Sequence, residues 1–477
     1  MRVKCVRVLP GKAAAVLIVL LLACLVLIPL LSGCSGEEKG SPTPSSTPTA
    51  AVTATPAAAV TGTPTAAATG TPTAAVTGTP TAVATGTPTT AVTGTPTATA
   101  KVPGITDTEI ILGADVILSG AMGAVYATIP QATGAYFKYI NDTQGGVCGR
   151  QIVYKLEDNQ DDPAKGLEAV RKLVEGENVF AIVGSLSDAA HPAVWEYLNE
   201  NEVPDILCSA GSDMFGADPI GHPWTVQMIP SYKIEGTFFG QYISQNLPGK
   251  KVAVLYPNIQ QGLDHLAGVK DGLDPTKNQV VSEQSYEITA VSISSQVTNM
   301  KNSGAEIVTA ITTPGYTAQA MQQADRLGWH PQWFLSYINS DEMTFKFASP
   351  QLMEGAISDS ALKLAAWTDD PAVAEHYRIM KDYGGPTPSN FTIYAQVLAE
   401  VAVEALSRAC DNLTRQGLMD AVESIKDWHS DLLIEGVSVT FSKTDHTALQ
   451  TARMLRAVVQ DGKGSWEYFG PLFEYKY

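Results

Sequence analysis

From about residue 105 the chain alternates short runs of β-branched and aliphatic residues with longer amphipathic stretches. EIILGADVI (109–117), QIVYKLE (151–157), FAIVG (180–184) and VPDIL (203–207) read as strands. Compact apolar runs of that length suit a sheet covered on both faces. Between them, TGAYFKYIND (133–142) puts Tyr136 and Ile140 on one helical face, and PAKGLEAVRKLVEG (163–176) begins with Pro163, which suits a first helical position. HPAVWEYLNENE (191–202) makes a third helix. After HPWTVQMIP (222–230) the pattern begins again, with helices over 232–247, 264–273, 292–304 and 317–329 and strands over 251–256, 279–287, 306–311 and 332–336. Strands separated by helices predict parallel sheets with helices on both faces. Two successive sets predict an α/β protein of two Rossmann-like lobes, and the roughly 377 residues from Lys101 onward exceed what one core usually serves. The closing aromatic stretch WEYFGPLFEYKY (466–477) suits packing or a final strand.

The first hundred residues follow another pattern. Residues 41–100 repeat phrases such as TGTPTAAV and hold no Asp, Glu, Lys, Arg or aromatic residue. Side chains this small do not bury enough apolar surface to offset backbone ordering, so the tract reads as a spacer of extended character, open also to glycosylation. Ahead of it, MRVKCVRVLPGK carries four basic residues and no acid, and a run of about 19 apolar residues follows. That is the layout of a secretory targeting segment, although the run is long enough for an uncleaved membrane anchor. The next residues, Leu31-Ser32-Gly33-Cys34, resemble the bacterial lipoprotein signal, which implies cleavage before Cys34 and lipidation of its thiol and new amino terminus. The expected organisation is a signal peptide over 1–33, an anchor and tether over 34–102, and the folded part beyond.

Cleavage there takes the formal net charge from −17 to −21, which argues against nucleic acid as a partner. With Cys34 given to lipid, Cys148, Cys208 and Cys410 remain, an odd number that implies no disulfide framework. Cys208, inside VPDILCSA, reads as a small buried hydrophobe. No C-x-x-C, no H-x-x-x-H, no phosphate loop, dinucleotide fingerprint or G-x-S-x-G is present, so neither metal, cofactor nor enzymatic activity is expected. His191 and His265 stand alone and read as surface or helix residues. In EDNQDDP (157–163) the acids miss calcium-loop spacing, and Asp162 before Pro163 reads as a helix N-cap.

Four stretches carry a family resemblance: ILSGAMGAVY (117–126), INDTQGGVCGRQIVYKLEDNQDDPAKGLEAVRKLVE (140–175), VFAIVGSLSDAAHPAVWEYLNENEVPDIL (179–207) and VAVLYPNIQQG (252–262). In collinear order they resemble the Leu/Ile/Val-binding protein family, from about Ile105 to Tyr477. The resemblance implies a two-lobed solute-binding protein of an ATP-driven importer, with a permease and an ATPase as partners. It also implies three hinge crossings, near Ile229, Ser358 and Gly436, giving one lobe of 104–229 and 358–436 and another of 230–357 and 437–477. A sensor on the same fold that signals to a membrane kinase or chemoreceptor is the alternative, and an amidase-type regulator or enzyme a more distant one.

In open α/β sheets ligands sit beyond the carboxyl ends of the strands, where loops and helix N-termini offer free N–H groups. GSLSDAAH (184–191) and SAGSD (209–213) follow two such ends. The resemblance carries contacts with the ligand's α-carboxylate and ammonium groups to Ser187 or Asp188 in the first loop, and to Ala210 and Ser212 in the second. Gly211 between them leaves room for close approach. Tyr126 takes the place of an aromatic contact. In the second lobe the family's aromatic contacts fall at Gln261 and at Thr313 or Pro314, with Tyr316 close enough to substitute. The acid that meets an ammonium falls near Ile338, beside Tyr337 and three residues before Asp341. This departure leaves the ligand open between an amino acid and a small carboxylate, amide or aromatic acid. Since the tether adds no core, a chain starting at Lys101 is expected to fold, bind and melt like the mature chain in calorimetry. A large drop would mean that the tract packs on the lobes.

Overall fold

A computed structural model describes residues 101–474; the expectations for Cys34, the tether and the last three residues lie outside them. The strands are β1 Glu109–Val116, β2 Gln151–Asp158, β3 Ala181–Val183, β4 Asp205–Cys208, β5 Thr225–Gln227, β6 Lys251–Pro257, β7 Gln279–Tyr286, β8 Ile307–Ala310, β9 Gln332–Leu335, β10 Ile357–Ser360, β11 Thr451–Gln460 and β12 Lys463–Glu474. They form one sheet in the order β2-β1-β3-β4-β5 and a second in the order β12-β11-β10-β9-β8-β6-β7. All pairings in the first sheet, and those from β7 across to β10 in the second, are parallel. The second set therefore repeats the strand order of the first, and the expected α/β class holds. β11 and β12 add an antiparallel hairpin beside β10, so the aromatic stretch supplies a final strand.

Local chemistry sets the element ends. The Asp162 carboxylate accepts from the N–H groups of Ala164 and Lys165 at 3.0 Å each and starts the helix Pro163–Arg171, as its place before proline predicts. That helix loosens into a π turn over Lys172–Gly176 instead of running on in α form. Three helices beyond residue 370 were not read from periodicity: Pro371–Asp382, Asn390–Arg408 and Arg415–Glu423. Asn390–Arg408 lies in the core of the first sheet, with Ile393, Val397 and Val401 fully buried, and Thr133 Oγ1 donates to its Ala395 carbonyl. β10 leads from the second sheet back to these helices, and the chain returns to the second sheet at β11. Just before that return, Thr447 bridges Gln227 at the end of β5. No helix among the described residues is long and apolar enough to cross a membrane.

Two expectations are corrected. Cys148 and Cys410 form a disulfide across 262 residues, joining the turn before β2 to the end of Asn390–Arg408. An odd cysteine count leaves one thiol over but does not keep the other two apart; Cys208 is the free, buried one among the described residues. His191 and His265 are helical but wholly buried, because each meets a buried carboxylate. His191 Nε2 lies 3.0 Å from Asp205 Oδ2, and His265 Nδ1 lies 3.3 Å from Glu235 Oε2. With Cys208, His191 and Asp205 bring three metal-ligand-type atoms within 4.8 Å of one another, a grouping that short-motif spacing does not register. Asp205 Oδ2 is already engaged there, since Thr225 Oγ1 also donates to it at 3.1 Å.

Closing so long a loop removes much freedom from the unfolded chain, an effect worth about 2–5 kcal/mol. Cys148→Ser is therefore expected to lower the calorimetric melting temperature by several degrees, and a reductant to do the same to the wild type alone. Equal melting of reduced and oxidised wild type would refute that role.

Candidate ligand-binding site

Parallel strands all point one way, so the loops that leave them gather at one edge of each sheet. Here the two edges face one cavity of about 190 Å³. Residues at or just beyond the carboxyl ends of β1 through β10 all reach it. Ile117, Asp161, Leu186, Ser209 and Ile229 come from the first sheet, and Ile259, Tyr286, Thr313, Ile338 and Asp359 from the second. Phe391 and Tyr394, at the start of Asn390–Arg408, complete the wall.

Of the residues predicted from sequence, Tyr126, Ser187, Asp188, Gln261, Thr313, Tyr316 and Tyr337 line this cavity. Ala210, Gly211, Ser212 and Asp341 do not border it. Ala210 and Ser212 are fully buried beneath it, and only Ser209 of that loop reaches the lining, where its hydroxyl pairs with Tyr394 Oη at 2.6 Å. Leu207, with φ 62°, coincides with a break in the β4–β5 register just ahead of this loop. The close approach at Gly211 is made by the protein itself. A Cβ there would stand 2.5 Å from the Tyr232 ring and 2.8 Å from Tyr337 Oη. Tyr232 and Tyr337 stack with ring centroids 5.5 Å apart. Asp341 accepts from the Met343 N–H at 2.9 Å and the Phe391 N–H at 3.0 Å. It thereby fastens the loop after β9 to the start of Asn390–Arg408.

Asp188 is the hub. Its Oδ1 accepts from the N–H groups of Gly211 (2.8 Å) and Ser212 (3.1 Å) and from Ser212 Oγ (3.3 Å). Its Oδ2 accepts from Tyr232 Oη (2.9 Å) and Gln261 Nε2 (3.4 Å). Gln261 follows β6, so this one carboxylate joins loops from both sheets. Burial pushes it up to about 6 from the ordinary carboxylate value, against the pull of its donors. Ser187 Oγ donates to Asp161, which burial also pushes up. On the other wall Tyr286 and Tyr316 pack at 4.6 Å, and Tyr316 Oη donates to the Ile288 and Ala290 carbonyls. Tyr126 packs on Phe391 at 5.7 Å.

Sequence reading missed Tyr232, Asp359, Phe391 and Tyr394. Tyr232 had a usable signal, since SYKIEG places Ser231 as an N-cap and Tyr232 in the first helical turn, at the start of the second set of elements. Asp359 had none, because ISDS does not read as a buried strand.

The repeated strand order and the shared cavity define a two-sheet α/β binding protein. The family model for "Periplasmic binding protein" matches residues 109–463, and the chain belongs to that family, whose place of work is extracytoplasmic. A Leu/Ile/Val-binding protein homolog of Brucella abortus is 23% identical over 335 residues, covering 68% of this chain and 82% of that protein. Among solved structures, a fatty acid ABC transporter substrate-binding protein from Thermomonospora curvata has a TM-score of 0.69 at 24% identity, covering 79% of this chain and 95% of its own. A branched chain amino acid ABC transporter protein from Thermus thermophilus with bound valine has a TM-score of 0.68 at 19% identity, covering 77% and 97%. At these identities the likeness is one of fold.

A carboxyl group raised on folding adds stability that is present below its unfolded value and lost as pH rises through its folded value. For Asp188 that window runs from about pH 4 to about 6, with a span of up to about 3 kcal/mol. The wild type should therefore gain melting temperature between pH 7.5 and 5, and Asp188→Asn should gain less. Asp115, also raised to about 6 by burial, leaves the variant part of the gain. Parallel pH curves for the two chains would refute the strain at Asp188.

Proposed function

We propose that this chain is a lipid-anchored extracytoplasmic receptor that captures one small organic molecule in the amino-acid size range and presents it to an ABC importer. It acts by binding and not as an enzyme. The observation that carries the reading is the single cavity at which the carboxyl ends of ten parallel strands from both sheets meet. A ligand there touches both sheets at once, so it selects the arrangement in which they face each other, with the chain passages between them as hinge. A permease and its ATPase would read that arrangement. Cys34 is the anchor, and residues 41–100 form a tether that holds the binding part near the transporter at a raised local concentration. The Cys148–Cys410 disulfide suits an oxidising compartment.

Metabolic labelling with a fatty-acid analogue tests the anchor: wild type should incorporate it and Cys34→Ala should not, whereas equal labelling would end the lipoprotein reading. Native mass spectrometry of the protein as isolated tests capture. A stoichiometric small-molecule adduct, lost on denaturation, is the expected result.

A further inference from the structure

Two buried acids meet where the chain passes between the sheets. Ile229 packs in the core of the first sheet and Tyr232 in a core of the second, so the passage into the second sheet ends at the start of Tyr232–Asn246. Glu235 stands in the first turn of that helix. The passage back begins at the end of β10, where Asp359 precedes Ser360 and Ala361 already packs in the first core. Glu235 and Asp359 are 1% and 3% exposed, and a hydrogen bond joins their carboxyl groups. That bond ties one passage to the other.

Such a bond needs a proton. Ionised carboxylates are acceptors only, and two of them in contact repel. Asp359 Oδ1 and Glu235 Oε2 have no hydrogen-bond partner elsewhere among the described residues. No cation faces the pair either. From Gln260–Gly272, His265 Nδ1 lies 3.3 Å from Glu235 Oε2, but burial holds its ring neutral, and Asp264 accepts from the Asp213 N–H. Lys233, on Glu235's own helix, pairs with Asp213 at 3.9 Å. Arg453 of β11 donates to the Gly470 carbonyl, and Tyr468 of β12 donates to the Leu362 carbonyl. Burial pushes both carboxyls up, Glu235 to about 7 and Asp359 well above the carboxylate range, where the Glu235 charge adds to the effect. Asp359 is therefore the donor and Glu235 the acceptor.

The cavity wall hangs on that acceptor. Glu235 Oε1 accepts from the Tyr337 N–H at 2.6 Å. Tyr337 donates its hydroxyl to the Pro230 carbonyl at 2.9 Å and stacks on Tyr232, and all three residues line the cavity.

We infer that the proton between Glu235 and Asp359 is a clamp on the hinge: it holds the passage into the second sheet against the passage out, and its loss loosens the cleft. The inference rests on the receptor reading, which makes these passages the hinge. The sign follows from linkage. A carboxyl raised in the clamped form favours that form below its ordinary value, and the advantage is lost as pH rises through its clamped value. Over that interval, each pH unit favours a loosened form that releases one proton by about tenfold.

Hydrogen–deuterium exchange on the full chain purified in detergent tests the clamp. After correction for the intrinsic pH dependence of amide exchange, peptides over 229–240 and 332–345 should exchange faster by up to about tenfold per pH unit from about pH 7 to about 9. A peptide over 179–186, in the core of the first sheet, should keep its protection. Asp359→Asn, whose amide donates to Glu235 without titrating, should abolish the rise. Equal pH dependence in wild type and Asp359→Asn overturns the clamp, as does the same rise in 179–186, which would mean loosening of the whole fold. Should Asp359→Asn not fold, infrared spectra of the wild type decide. A protonated-carboxyl band that bleaches as exchange rises upholds the clamp; a band absent at about pH 8, or unrelated to the rise, overturns it. No ligand enters these measurements, so the clamp can fail while the receptor reading stands on the native-mass adduct.

Discussion

A single desolvated carboxylate holds the cleft together. Asp188 takes donors from the loop after β4, from the first turn of Tyr232–Asn246 and from the helix after β6, and these belong to segments that pack with different sheets. The backbone at Gly211 and Ser212, the tyrosine stack above it and the Gln261 side chain are all placed relative to this one group. Burial acts against its charge while five donors support it, and the balance leaves it well above an ordinary carboxylate. Asp341 works in the same manner at another corner, tying the loop after β9 to the start of Asn390–Arg408. Acids in this cleft thus serve first as cross-links between chain segments.

That use of acids shapes what the cavity can accept. In a low-dielectric pocket each carboxyl group spent on backbone N–H groups is one fewer anion seat for a ligand and one more source of negative potential. The fold is shared with a fatty acid substrate-binding protein and with a branched chain amino acid transporter protein holding valine, so the architecture itself does not settle the chemistry of the guest. The side chains at the strand ends do.

The α/β class and most elements up to residue 336 were legible because their buried strands are continuous apolar runs and their helices are amphipathic. FAIVG contains β3, KVAVLY lies within β6 and QWFLS contains β9, each within a residue or two of its ends. Beyond that point legibility fell for a physical reason. β10 reads Ile357-Ser358-Asp359-Ser360, all buried, so its composition imitates a loop. Asn390–Arg408 is buried along nearly its whole first half, which blurs the one-sided pattern that marks a surface helix. The cavity was half legible: strand-end loops can be found by counting, but which of their side chains faces inward cannot. Ser212 and Gly211 sit in the right loop and beneath the lining, while Ser209, three residues before Ser212, is the one that reaches it. The disulfide and the buried histidines were hidden by distance along the chain, since their partners come from other segments.

The position of the disulfide bears on how such a binding protein ages outside the cytoplasm. Cys148 and Cys410 enclose β2 through β10, which includes all five of the second sheet's parallel strands. A protease that cuts once anywhere in that stretch leaves two pieces joined by a covalent bond and still interleaved through both sheets. Neither piece can diffuse away, and the cleft walls keep their neighbours. A nicked molecule therefore remains one molecule until the bridge is reduced, so backbone cuts are expected to accumulate without loss of the cleft.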